Sequence, residues 1–154
     1  MIQHDSKIIS VKCGSGVKII KPSNLYDCSL DDDVFVGPFV EIQANVTIGS
    51  RTKVQSHSFI CSLVSIGEDC FVGHGVMFVN DTFSSGGPSG GDQSKWKKTR
   101  IGNRVSIGSN STILPVQICD DVVIGAGAVV TKDIILSGVY AGNPAILIKD
   151  KSLK

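Results

Sequence analysis

Three features are missing from this sequence, and each absence removes a class of function. No charge of either sign is in excess: fifteen Lys and Arg face fourteen Asp and Glu over 154 residues, a formal charge of +1. A nucleic-acid binder draws its affinity from a basic surface, so the balance gives no case for that class. No uncharged apolar stretch approaches the ~18–20 residues that cross a bilayer, and the opening MIQHDSKIIS lacks the charged-then-apolar layout of a signal peptide. A cytoplasmic protein without membrane insertion is expected. The five cysteines (Cys13, Cys28, Cys61, Cys70, Cys119) form no C-x-x-C pair and are odd in number, which favours reduced thiols over a disulfide framework or a zinc site. Leucine and alanine are scarce as well. Seven Leu and five Ala stand against eighteen Val, eighteen Ile and seventeen Gly, a composition for short strands and tight turns rather than a helical bundle. The length suits one domain with a real core.

What is present is a repeat of period six. From Leu30 onward an apolar residue falls at Val36, Ile42, Ile48, Val54, Ile60, Ile66, Val72 and Phe78. Two places before each comes a small or β-branched residue: Cys28, Val34, Val40, Val46, Thr52, Ser58, Val64, Cys70 and Val76. Gly37, Gly49, Gly67 and Gly73 follow four of the apolar positions, where a side chain would crowd a corner. The spacing resumes at Ile101, Ile107 and Ile113, then at Ile118, Ile124 and Val130 after one missing residue. Period six fits neither an α-helix nor a simple alternating strand. It fits a coil of flat faces, one hexad per face, with both marked residues pointing inward. Three faces make a triangular solenoid of about five turns, stabilised by stacking one turn on the next. Residues 1–29 read as an irregular first turn and cap, 30–80 and 101–136 as hexad turns, 81–100 as an inserted loop rich in Gly, Ser and Lys, and 137–154 as a tail, all one domain. A loop of this length inside a compact repeat is uncommon and usually functional or disordered.

The stretch IGSNSTILPVQICDDVVIGAGAVVTKDI, followed by VYAGNPA, resembles the hexapeptide-repeat acyltransferases that use acetyl-CoA. Together with VFVGPFVEIQ, VQSHSFIC and FVGHGVMFVND, it is similar to the N-acetyltransferases of nucleotide-linked amino sugars for surface polysaccharides. Strand crossovers are right-handed in about 98% of cases; the resemblance instead implies an all-β, left-handed parallel β-helix. It also implies a homotrimer, acetyl-CoA as acyl donor without a metal, and a dTDP- or UDP-linked amino sugar as acceptor. Two departures stand out. Members of that subgroup often carry Tyr-Pro-Arg after the Asn-Asp, where this chain has Thr82, Phe83 and Ser84. The catalytic His-Pro of the galactoside- and maltose-type O-acetyltransferases has its histidine fall on Phe83. An O-acetyltransferase of a sugar or small alcohol and a non-catalytic β-helical scaffold remain the alternative readings.

Solenoid spacing puts His57 and His74 on one longitudinal edge, continued by Ser109 and Ala126, while Asn80 begins the next corner, where the loop leaves. In a three-fold assembly an edge of one protomer faces another corner of its neighbour. The resemblance implies that acetyl-CoA lies in such a groove. Ser109, Ala126 and Gly127 would meet its pantetheine, Lys132 and the pair Lys97 and Lys98 its phosphates, and Asn143 and Pro144 its nucleotide end. The chemistry is attack of an amine on a thioester, with one proton to remove. His57 and His74 are the candidate bases; Asn80, which cannot be a base, is expected to accept an amine N–H and aim the lone pair. The departing thiolate is the other proton acceptor. Asp81 is expected to meet a sugar hydroxyl or to hold the loop. A metal site is not expected, since His57 and His74 are seventeen apart and His4 lies outside the repeat. Cys28 and Cys70 occupy inward positions and read as core.

Overall fold

Each hexad folds into a strand of two or three residues and a corner, and the residue that ends the strand points inward. The computed structural model describes residues 8–150; His4 lies outside them. Val36, Ile42, Ile48, Val54, Ile60, Val72 and Phe78 are buried, as are Val34, Val40, Val46 and Val76 two places earlier. Where the earlier position is polar, a hydroxyl bonds the adjoining turn. Thr52 Oγ1 donates to the Gly67 carbonyl (2.8 Å), Ser58 Oγ to that of Gly73 (2.9 Å) and Ser111 Oγ to that of Gly125 (3.0 Å). A buried hydroxyl is tolerated when it is bonded in this way.

The strands stack into three sheets. The first face runs from Ile8–Ile9 through Asn24–Tyr26, Glu41–Ile42, Phe59–Ile60, Met77–Phe78 and Thr112–Ile113 to Val129–Val130. The second runs from Lys12–Cys13 to Gln117–Ile118, and the third from Lys18–Ile19 through Val123–Ile124 to Gly138–Ala141. All pairings are parallel except the last, where Ile146–Asp150 folds back antiparallel on Gly138–Ala141. The result is a left-handed triangular β-helix with about seven strands to a face. Leu30 lies beside Ile48 and Val36 beside Val54, so a turn takes eighteen residues there.

The β-helix is longer than the five turns expected, and the reason is a slip of one residue. Leu25 and Leu30 both point inward yet are five apart, so the phase of Leu30 extended backward falls on Asn24, Lys18 and Lys12 rather than on Leu25, Ile19 and Cys13. The segment read as irregular therefore contains regular strands from Ile8 onward. The loop at 81–100 interrupts no ladder: Ile66 pairs with Ile101 and Phe78 with Ile113 across it.

At the corners the residue that follows the strand and the left-handed residue are different positions; glycine is common at the first and fills the second at Gly16, Gly75 and Gly127. A Cβ on Gly49 would lie 2.6 Å from the carbonyl carbon of Gly67, so this residue is small because the turns approach closely. The residue with positive φ comes two places later, as in Phe39 (60°) after Gly37 or Arg51 (61°) after Gly49. Three edges result. The histidine edge joins the third face to the first, the loop edge joins the first to the second, and the arginine edge joins the second to the third.

On the arginine edge the left-handed position is filled by Asp33, Arg51, Asp69, Arg104 and Asp121, charges alternating turn by turn. Arg51 makes two bonds to the Asp69 carboxylate (2.7 and 2.8 Å) and one to Glu68 (2.8 Å); Arg104 does the same to Asp121 (2.8 and 2.8 Å). The Arg51 bonds hold the Asp69 carboxyl below its ordinary value. A depressed carboxylate stabilises the fold above its unfolded pKa and ceases to as pH falls through its folded one. Arg51→Met is expected to lower the melting temperature modestly at neutral pH and low salt. The difference from wild type should close in acid, and in about 1 M salt as screening removes exposed pairs. Thermal melts in both series check this, and a gap that persists in salt would sink the electrostatic account.

Candidate active site

The histidine edge is a stack of equivalent corners. The His57 N–H bonds the Pro38 carbonyl, Gly75 that of Ser56, Asn110 that of His74, and Gly127 that of Ser109. His57, His74, Ser109, Ala126 and Gly127 thus share one edge. The alignment is offset by one residue: His74 sits over Ser56, not over His57. Its Nδ1 is 2.9 Å from Ser56 Oγ, which fixes the ring plane and leaves Nε2 directed away from that bond. The hydroxyl donates to Nδ1 in one tautomer and accepts from it in the other, and only the second leaves Nε2 as a base. His57 is held differently, stacked on Phe39 with ring centroids 4.8 Å apart and 28° between planes. Both histidines are exposed.

Toward the C-terminal end this edge loses its side chains. Ala126 and Gly127 are exposed, and a Cβ added to Gly127 would meet nothing within 4 Å. The Val129 N–H bonds the Gly142 carbonyl and the Ala145 N–H bonds that of Val129, which brings Asn143 and Pro144 beside the same strip. Lys132 is elsewhere. It is exposed on the loop edge, with Lys97 and Lys98.

Asn80 also lies on the loop edge, so the width of the first face separates it from the histidines of its own protomer. Its Nδ2 donates to the Ser62 carbonyl (3.2 Å), one turn below, and its own carbonyl accepts from the Lys97 N–H (2.9 Å). A carbonyl can only accept, so the amide nitrogen must face Ser62 and Oδ1 is turned away from it. Ser62 is held in turn: Gln43 Oε1 accepts from its N–H (3.2 Å), and Gln43 Nε2 donates to Glu41 (3.0 Å). Asp81 is taken up by the loop. Its Oδ1 accepts from the Phe83 N–H (3.0 Å) and Oδ2 from the Ser89 N–H (2.7 Å). These backbone bonds hold its carboxyl below the usual value. Trp96 Nε1 donates to Ser89 Oγ (2.9 Å), which closes the loop on itself.

Asp81→Ala removes the carboxylate oxygens that accept from both backbone N–H groups and is expected to loosen the loop, so that trypsin cuts at Lys95, Lys97 and Lys98 several times faster than in wild type. Because the Asp81 pKa is lowered, the wild-type loop should loosen likewise as pH falls through that value, a change followed by Trp96 fluorescence. Equal cleavage rates in the two proteins would sink this role for Asp81.

Sequence spacing alone did not single out Ser56, Ser62 or Gln43. Ser56 lies eighteen residues from His74 and Ser62 eighteen from Asn80, so the length of one turn was the signal that finds them. Burial pushes the Cys28 thiol up to about 11 and that of Cys61 up to about 12, which disfavours a thiolate at both. Among the described residues no group of three or more His, Cys, Asp or Glu is placed to hold a metal.

Comparison with known proteins identifies the repeat. The family model for the bacterial transferase hexapeptide (six repeats) matches residues 27–62, and that for the hexapeptide repeat of succinyl-transferase matches residues 63–77 and 98–132. The chain is 31% identical over 151 residues to the bifunctional protein GlmU of Streptococcus uberis, covering 93% of this chain and 32% of that protein. It spans about a third of the length of the curated relatives it matches. Among solved structures it is similar to a GDP-perosamine N-acetyltransferase from Caulobacter crescentus in complex with CoA and GDP-perosamine, at TM-score 0.65 and 22% identity, over 92% of this chain and 54% of that one. It is also similar to AntD, an N-acyltransferase from Bacillus cereus in complex with dTDP and coenzyme A, at TM-score 0.55 and 23% identity, over 92% of this chain and 84% of that one.

Proposed function

Because the chain belongs to the bacterial hexapeptide-repeat transferases, we propose that it transfers an acetyl group from acetyl-CoA to the amine of a dTDP- or UDP-linked amino sugar. The product would serve surface polysaccharide synthesis, and the enzyme would work as a cytoplasmic homotrimer. No helix among the described residues is long and apolar enough to cross a membrane. The observation that carries this reading is the Asn80 amide, pinned through Nδ2 so that Oδ1 is free to accept. An amine offers an N–H to that oxygen and keeps its lone pair for the carbonyl carbon, which is an orientation effect.

In the trimer the loop edge of one protomer faces the histidine edge of its neighbour, and the two half-sites become one. Acetyl-CoA runs along the strip of Ser109, Ala126 and Gly127, where backbone amides are unshielded, with Asn143 and Pro144 at its nucleotide end. Lys97, Lys98 and Lys132 meet phosphates across the groove as point charges. The amine nitrogen attacks the thioester carbon, the C–S bond breaks, and the nitrogen's proton passes to His74 Nε2. Ser56 holds the ring for that transfer. His74→Asn is expected to lower kcat about tenfold and to flatten its pH profile. An unchanged profile would assign the proton to the departing thiolate. His57, stacked on Phe39, shapes the same edge. The position at which O-acetyltransferases carry their histidine is Phe83 here, 58% exposed and without a base.

A thiol-release assay with acetyl-CoA against dTDP-, UDP- and GDP-linked amino sugars, with matched hydroxyl sugars as controls, tests the reading. Release with an amine and with no hydroxyl control is the expected result. Release with hydroxyl acceptors alone would make it an O-acetyltransferase; silence throughout, with no CoA binding by calorimetry, would leave a scaffold.

A further inference from the structure

On the outward side of the third face, Lys18 lies beside Phe35, Phe35 beside Lys53, and Lys53 beside Phe71. Neighbouring strands are ~4.8 Å apart, so cation and ring alternate at that spacing along a column. The part from Lys18 to Lys53 floors an open depression of about 510 Å³, rimmed by Asp33 toward the arginine edge and Gln55 toward the histidine edge. Both lysines are exposed, and among the described residues neither has an ion pair; the ion-paired cations are Arg51, Arg104 and Lys95. The depression has the size of a small-molecule site.

Its chemistry narrows the ligand. An apolar molecule would strip water from two ammoniums and return nothing. A neutral sugar would leave both charges unmatched, and a bare phosphate would leave the Phe35 ring in water. A nucleoside diphosphate meets all three groups: a base lies on the ring, the phosphates reach the lysines, and a ribose hydroxyl can donate to the Asp33 carboxylate. We infer that this depression binds a nucleoside diphosphate, namely the nucleotide of the activated sugar; this rests on the acetyl-transfer reading above. Coenzyme A carries the same chemistry in its adenosine phosphates. The strip of Ala126 and Gly127 beside Asn143 and Pro144 lies toward the other end of the β-helix, whereas Gln55 is two residues from His57, which is why the acceptor is assigned here.

Calorimetry at low salt with dTDP, UDP, GDP, pyrophosphate and CoA tests the assignment on wild type, Lys53→Glu and Phe35→Ala. Both variants are expected to weaken the best nucleoside diphosphate about tenfold or more. Pyrophosphate should depend on Lys53 only, and CoA on neither. Lys53 is exposed, so the first variant remains informative if Phe35→Ala fails to fold. The proposal is overturned if wild type binds none of the three nucleotides, if Lys53→Glu binds them within twofold of wild type, or if the variants weaken CoA instead. Acetyl transfer measured in parallel separates the two readings. Intact transfer with unchanged acceptor KM in both variants would overturn this site and leave the proposed function standing. Nucleotide binding that depends on Phe35, in a protein that transfers no acetyl group, would do the reverse.

Discussion

Asn80→Ala is expected to lower kcat about 10²-fold, the usual size of a lost positioning or polarising group, while the protein stays folded. The structural loss is small: one bond, 3.2 Å from Nδ2 to the Ser62 carbonyl, at a half-buried corner, which contributes about 1 kcal/mol and moves the melting temperature by a few degrees. KM for acetyl-CoA should hardly change, because the donor strip is on the other edge. Asn80→Asp sharpens the test. It keeps an acceptor oxygen of the same reach but sets a carboxylate oxygen against the Ser62 carbonyl, which has no proton to share, so the group must turn. If aim is what Asn80 supplies, the aspartate is nearly as poor as the alanine; if an acceptor of any orientation suffices, the aspartate retains most of the rate. Steady-state kinetics with both substrates varied, beside a thermal melt of each variant, decides. An alanine variant that does not fold would place Asn80 among the structural residues and remove it from the site.

Asn80 meets Ser62 because one turn takes eighteen residues, and most of the fold is legible in that same length. Val36, Ile42 and Ile48 are inward because a hexad has one face to cover and the inside is apolar; no tertiary information was needed. The same period put His57 and His74 on one edge. It failed wherever the chain stepped out of phase. The single-residue slip between Leu25 and Leu30 hid the first turns, because Asn24 and Lys18 stood where apolar residues were sought. Inside the loop nothing is periodic, so the bonds that decide its shape, from Asp81 to the Ser89 N–H and from Trp96 to Ser89, carry no spacing to detect. Outward residues are free of the core's demand and follow no rule of the repeat, and the Lys18, Phe35, Lys53 column emerges only from the strand register. The offset that seats His74 on Ser56 is of the same kind: a shift of one residue along a corner decides a hydrogen bond but leaves the hexad pattern intact.

Phe78→Ala should be the most destabilising single change in the β-helix, at about 3–5 kcal/mol. The inward column of the first face is Ile8, Leu25, Ile42, Ile60, Phe78, Ile113 and Val130, and Phe78 is its one aromatic residue, 1% exposed and among the largest buried side chains. Its neighbours Ile60 and Ile113 are held by their own ladders and cannot close the gap that truncation leaves. Phe78→Leu, which preserves most of the volume, should lose less than about 1.5 kcal/mol. In a solenoid each turn contacts only the next, so a weak interface divides the stack and does not soften it evenly. Phe78 ends the strand from which the loop departs, two residues before Asn80. The alanine variant is therefore expected to unfold in urea with a broadened or two-step transition, and its hydrogen exchange should quicken most at Ile60, Met77 and Ile113. Asn80 would lose its aim at the same time, because the strand that carries it is no longer clamped from both sides, and kcat would fall in a protein whose terminal turns remain ordered. A single sharp transition shifted by less than about 1 kcal/mol would mean that the turns relax into the cavity, and that stacking in this β-helix is more compliant than close packing allows.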